Sequence, residues 1–145
     1  MPRIEEEVII KASAEEIYKF LVDSSKLAKL LPWLEVKVRE KDEDHQITGC
    51  KLTTEKGDIF SWQQRENFDS EMLRVDYALI EGDWQNFVGR WQVNEAGEES
   101  ELILQVEAQP KEQGLKAFLA WPFLWIKMRR FCQEAIQAVK DRLEL

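Results

Sequence analysis

The chain has 145 residues, 44% of them hydrophobic and 33% charged, with a formal net charge of −8 at pH 7. This length suits one domain, residues 1–145, with one core and a modest internal pocket. The acidic balance argues against direct nucleic-acid binding, because such a chain repels phosphate backbones.

Arg3 to Ala12 carries Ile4, Val8 and Ile10 on one side of a period-two pattern, which predicts a first strand. Ser13-Ala14-Glu15-Glu16 has the form of a capping box, and Ile17, Phe20 and Leu21 follow at helical spacing. A second short helix is predicted from Ser24 or Ser25, carrying Leu27, Leu30 and Leu31 until Pro32 stops it. After Trp33 the period changes to two: Leu34, Val36 and Val38 alternate with Glu35, Lys37 and Arg39. Further strands are predicted at Ile47 to Thr54, at Ile59 to Phe68, and through Leu73, Val75, Tyr77 and Leu79. Trp84 to Asn94 and Leu102 to Ala108 complete seven. Short polar turns separate them, so neighbours must be antiparallel. Glu81-Gly82-Asp83 is the strongest hairpin signal, since Gly82 supplies the positive φ of a tight turn.

From Glu112 the period is helical to the C-terminus. Phe118, Trp121, Trp125, Met128, Cys132, Ile136, Val139 and Leu143 share one stripe, and past Arg130 the opposite face is polar. Before it, Leu115, Leu119, Phe123 and Ile126 form a second apolar face, and Pro122 either kinks the helix or opens its main part. The order strand, two short helices, six strands, long helix predicts an α+β fold. A helix of ~45 Å at 1.5 Å per residue lies across the concave side of a curled seven-stranded antiparallel sheet. Curvature leaves space between them unless side chains fill it.

The six Trp and seven Phe supply rings suited to a core or an apolar pocket. Cys50 and Cys132 match no metal or redox spacing and read as buried free thiols, which suits a reducing cytosol. No secretory signal is visible, and the most apolar window, Ala117 to Ile126, is shorter than the ~20 residues of a membrane span, so a cytoplasmic location is expected. No metal and no cofactor is implied, and His45, beside a polar turn, reads as a surface residue. The Glu5-Glu6-Glu7 run reads as a solvated strand end.

Three segments carry a resemblance: Leu31-Pro32-Trp33, Phe60-Ser61-Trp62-Gln63-Gln64-Arg65, and the stretch from Glu81-Gly82-Asp83-Trp84 to Gly89-Arg90-Trp91. With the element order, they resemble the START and Bet v 1-like (SRPBCC) superfamily, within it the coenzyme Q-binding and polyketide cyclase/dehydrase branch. The likeness spans nearly the whole chain. It implies a helix-grip fold and a buried cavity for a lipid, quinone, hormone-like ring system or polyketide. In aromatase/cyclases of this kind the Trp strand carries a Trp-x-Ser-x-Arg pattern into the cavity. Here Trp62, Gln64 and Glu66 share a face, so Gln64 stands at the Ser position and Glu66 at the Arg position. Arg65 falls on the opposite face.

The expected ligand-binding set is Trp33, Trp62, Gln64, Glu66, Tyr77, Phe87 and Trp91 from the sheet side, facing Phe118, Trp121, Trp125 and Met128 of the helix. Each ring has the alternative of simply filling core. Gly89, between Phe87 and Trp91, widens the cavity, admits a neighbouring ring or marks a bulge. Gln64 and Glu66 need polar partners, either a ligand's polar end or, for Glu66, solvent at the strand end. The expected function is carriage, transfer or sensing of a hydrophobic small molecule. The alternative is a cyclase/dehydrase-type enzyme using the same cavity, which lacks an in-register Arg and an evident acid/base pair; catalytic residues are unassigned. An interaction role through protein contact is a third reading. Peripheral membrane contact through Leu119, Phe123, Ile126, Lys127 and Arg130 competes with burial of that face under the short helices and Leu31-Pro32-Trp33.

Overall fold

The computed structural model describes residues 3–111 and 115–145, with the side chains of 115–122 excepted. The strands are β1 (Arg3–Ile10), β2 (Leu34–Lys41), β3 (His45–Thr53), β4 (Ile59–Asp69), β5 (Arg74–Gly82), β6 (Trp84–Ala96) and β7 (Glu99–Pro110). The helices are α1 (Ala14–Leu21), α2 (Ser24–Lys29) and α3 (Leu115–Leu143). The seven strands form one antiparallel sheet in the order β1-β7-β6-β5-β4-β3-β2, the helix-grip arrangement expected from the sequence.

Local chemistry sets the helix starts. Ser13 caps α1 by accepting the Glu16 amide proton, and Asp23 caps α2 by accepting that of Lys26. The apolar face of α1 buries Ile17 and Leu21, while α2 buries Leu27 and also Ser24. Leu73, expected on the face of β5, instead has φ 55 and closes the preceding turn. There the Asp69 carboxylate accepts the Glu71 and Met72 amides, a local bond that competes with strand pairing.

Three irregularities break the period-two pattern. The β2–β3 register shifts between Val38 and Glu40, the β4–β5 register between Gln63 and Gln64, and the β6–β7 register between Trp84 and Asn86. In the second, Ile80 is the extra residue and β4 itself stays regular. In the third, Gln85 is extra, so Trp84 and Phe87 are both buried although three positions apart.

The C-terminal half of α3 lies along β1. Met128, Phe131, Cys132, Ala135, Ile136 and Val139 are buried there, and each large apolar side chain so enclosed contributes about 1.5–3 kcal/mol. Polar bonds fix the position: Lys140 Nζ donates to the Ile9 carbonyl at 2.6 Å, and the Lys11 amide donates to Glu144 at 2.9 Å. The expectation of a wholly solvated Glu5-Glu6-Glu7 run fails at its middle residue. Glu6 lies on the inner face and accepts from Arg129 Nε and Gln133 Nε2, both at 3.2 Å.

Candidate functional site

Between sheet and α3 lies a cavity of about 120 Å³ whose described lining is almost entirely apolar. Leu27 and Leu31 close it from the α2 side, Trp62, Phe87 and Trp91 form its floor, and Met128 and Phe131 of α3 cover it. Trp33 seals the seam between the α2–β2 connection and α3. Its ring packs on Phe131 with centroids 4.5 Å apart, and its Nε1 donates to Glu134 at 2.8 Å.

One corner of this cavity is aromatic. Phe60 stacks on Trp84 at 4.7 Å, Trp84 meets Trp62 edge-on at 5.9 Å, and Phe87 packs on Trp62 at 5.1 Å. Gly82 makes the arrangement possible. Its φ is +137°, and a Cβ there would lie 2.4 Å from the Trp62 Cα. The β5–β6 turn therefore closes directly onto the Trp62 backbone. Gly89 resolves the alternatives left open by the sequence, because a Cβ there would sit 3.2 Å from Tyr77 Cδ2. Its missing side chain admits the Tyr77 ring from the directly paired position on β5.

The opposite corner is polar and centres on Glu66, only 1% exposed. Its Oε1 accepts from Ser24 Oγ at 2.5 Å and Gln46 Nε2 at 3.0 Å. Its Oε2 accepts from Thr48 Oγ1 at 2.6 Å and Gln64 Nε2 at 3.3 Å. Trp62 Nε1 donates to Gln64 Oε1 at 2.9 Å, which turns the Gln64 amide nitrogen toward Glu66. Four donors thus occupy the four acceptor sites of an ionised carboxylate, and α2, β3 and β4 converge on one side chain. The neighbours respond to burial and to this charge. Burial, then Glu66 and Cys50, hold the Tyr77 hydroxyl well above its ordinary pKa. Burial raises the Cys50 thiol to about 12, with a further push from Glu66. Cys132 is likewise raised to about 12 by burial and then by Glu6. Both thiols are free, buried and protonated at neutral pH.

A family model described as "Polyketide cyclase / dehydrase and lipid transport" matches residues 10–134. The chain belongs to this family. Several solved structures, none more than 20% identical, share its fold. A Thermus thermophilus protein superposes with a TM-score of 0.91 at 20% identity, covering 98% of this chain and 97% of that one. An aromatase/cyclase from Streptomyces sp. R1128 gives 0.90 at 20% identity, over 99% and 93% of the two chains. A START superfamily protein from Mycobacterium smegmatis gives 0.74 at 16%, over 98% and 97%. No curated protein matches the sequence.

Within this family frame, Trp33, Trp62, Gln64, Glu66, Tyr77, Phe87, Trp91 and Met128 all line the cavity. Trp125 does not: its ring is partly buried beneath the Arg129 guanidinium, 5.6 Å from the centroid, because the cavity-facing stripe passes through Met128, Phe131 and Cys132. The side chains of Phe118, Trp121 and Leu119 lie outside the described residues. Solvent does not wet Glu66; its donors come from Gln64 and from Ser24, Gln46 and Thr48, three residues that sequence reasoning missed. A visible signal existed for two of them, since Gln46 and Thr48 alternate with Ile47 on the inward period of β3. Ser24 gave none, being a common first-turn helix residue. Trp84 was missed because the Gln85 bulge inverts its face. Its Nε1 has no partner among the described residues.

Arg65 is exposed, with Nε donating to Asn67 Oδ1 at 2.9 Å, so β4 presents Glu66 to the cavity and Arg65 to water. The expected cover over the second apolar face of α3 is missing at two positions, with Phe123 69% and Ile126 55% exposed. Asp42, Asp44 and His45 bring ligand atoms within 4.8 Å of one another at an exposed turn. The His45–Asp44 bond of 2.8 Å accounts for that closeness and lowers the Asp44 pKa. No described helix is long and apolar enough to cross a membrane.

Proposed function

We propose that the chain binds a compact hydrophobic molecule, or the ring end of a longer lipid, quinone or polyketide, as a carrier or sensor. The observation that carries this reading is the apolar cavity of about 120 Å³ between sheet and α3. An apolar void of about 150 Å³ takes up benzene, whereas drug-sized ligands occupy roughly 300–1,000 Å³. One ring system fits the cavity as it stands, and a larger molecule requires side chains to move. Its lining sets Met128 and Cys132 against Trp62, Phe87 and Trp91, so polarizable groups face flat rings.

The alternative, cyclase/dehydrase chemistry in the same cavity, is supported by the family description and by the fold shared with the Streptomyces aromatase/cyclase. It needs a group free to move a proton. Glu66 already has its acceptor sites filled, and Arg65 faces away, which favours binding over turnover. Native mass spectrometry of protein purified from its own source tests the reading, together with Trp fluorescence titrated with lipid, quinone and polyketide panels. A co-purifying hydrophobe or saturable quenching supports it. Neither signal with any compound sinks it.

Exposed Phe123 and Ile126, with Lys127 and Arg130 on the same helix, support peripheral contact with an anionic membrane as the loading route. Sedimentation with phosphatidylserine vesicles checks this. Binding that Phe123→Ser weakens supports the contact; no sedimentation at all removes it.

A further inference from the structure

Among the described residues lining the cavity there is one carboxylic acid, Glu66, and no Lys, Arg or His, while the Tyr77 hydroxyl and the Cys50 and Cys132 thiols stay protonated and neutral at pH 7. The two hydroxyls and two amides around its carboxylate are neutral, so they disperse its charge without cancelling it. A charge held this way acts on a cavity occupant through a medium of low polarizability, where Coulomb repulsion is strong and little screened. Nor does the carboxylate have a lone pair left to accept a proton from a ligand. The free capacity nearby consists of donors, namely the second N–H of Gln64 and the Tyr77 hydroxyl, both lining the cavity.

We infer that Glu66 makes the cavity a charge filter: it takes a neutral hydrophobe with a hydrogen-bond acceptor, such as a carbonyl, at its polar end, and it rejects the carboxylate analogue of the same shape. This rests on the binding role proposed above and adds the substrate class. Tyr77 suits the donor role, because a hydroxyl held protonated over the physiological range remains a donor. Fatty acids and aromatic acids are thereby disfavoured despite their apolar bodies, and amides, ketones and quinone-like carbonyl compounds are favoured.

The test uses three small probes and ligand-observed NMR at pH 7. Toluene reports whether the cavity admits a ring at all, while benzamide and benzoate are near-isosteric and differ in charge. Benzamide is expected to bind at least about tenfold more tightly than benzoate. The ratio is expected to hold between low and high salt, because the repelling charge is buried. In Glu66→Gln it narrows toward unity while toluene binding persists. Equal binding of the pair, or tighter binding of benzoate, overturns the filter while leaving the cavity role intact. So does a ratio that collapses in salt, which would assign the effect to the net charge of −8 rather than to Glu66. If none of the three probes binds, the cavity reading and the filter fall together. The salt series needs only the unmodified protein, so the inference remains open to refutation even if Glu66→Gln does not fold.

Discussion

The two corners of the cavity share one strand, yet they are held by different means. At one end of the inner face of β4, Trp62 sits in a cluster of rings whose positions follow from the backbone: a glycine turn pressed onto Trp62 and a bulge that aims Trp84 inward. At the other end, Glu66 is held by side chains from α2, β3 and β4, and the backbone there is regular. Ring packing is weakly directional, so shape has to come from the main chain. Hydrogen bonds to a carboxylate are directional, so the side chains can set the geometry themselves.

Gly82→Ala is the severest way to break this comparison. The added Cβ would stand 2.4 Å from Trp62 Cα and 2.6 Å from the Ser61 carbonyl oxygen, at a φ that disfavours any side chain. Positive-φ strain and forced displacement together are expected to cost about 4 kcal/mol. Urea unfolding measures the loss, and near-UV circular dichroism should show the Trp signal changing with it. A loss under about 1 kcal/mol would mean that the aromatic corner does not depend on the turn.

The architecture was legible because it rests on periodicities that run through whole elements. Leu34, Val36 and Val38 announce a strand and Ile136, Val139 and Leu143 a helix whatever lies opposite. The Trp62, Gln64 and Glu66 face was legible for the same reason, since the bulge falls on β5 and leaves β4 in phase. Trp84 was not, because one inserted residue reverses every side chain beyond it and Gln85 carries no local mark of being that residue. The surroundings of Glu66 were hidden by distance along the chain. Ser24 reaches it across 42 positions, a pairing settled only when α2 packs against the edge of the sheet.

Ser24→Ala probes the polar corner with a smaller expected effect. It removes one of four donors and the tie between α2 and the sheet, and a hydrogen bond to a charged group contributes about 1.5–3 kcal/mol. Gln46 Nε2 remains on the same Glu66 oxygen at 3.0 Å, which places the loss near the lower end, about 1.5 kcal/mol. Amide exchange should quicken in residues 24–29 and stay unchanged in β4, because only α2 loses its anchor. A loss larger than that of Gly82→Ala would reverse the ranking of the two corners.

Arg65→Ala should do least, and its silence is informative. Arg65 is exposed, and its guanidinium reaches only Asn67 two positions along the same strand. A surface change of this kind is expected to stay within about 0.5 kcal/mol in unfolding free energy. The affinity for any cavity ligand should also be unchanged, because the side chain points to water while Gln64 and Glu66 on either side point inward. A tenfold fall in affinity with stability intact would require the guanidinium to reach the cavity. It would also require β4 to slip by one residue, exposing Trp62 and Glu66. The variant thus tests, by its lack of effect, the register on which both corners depend.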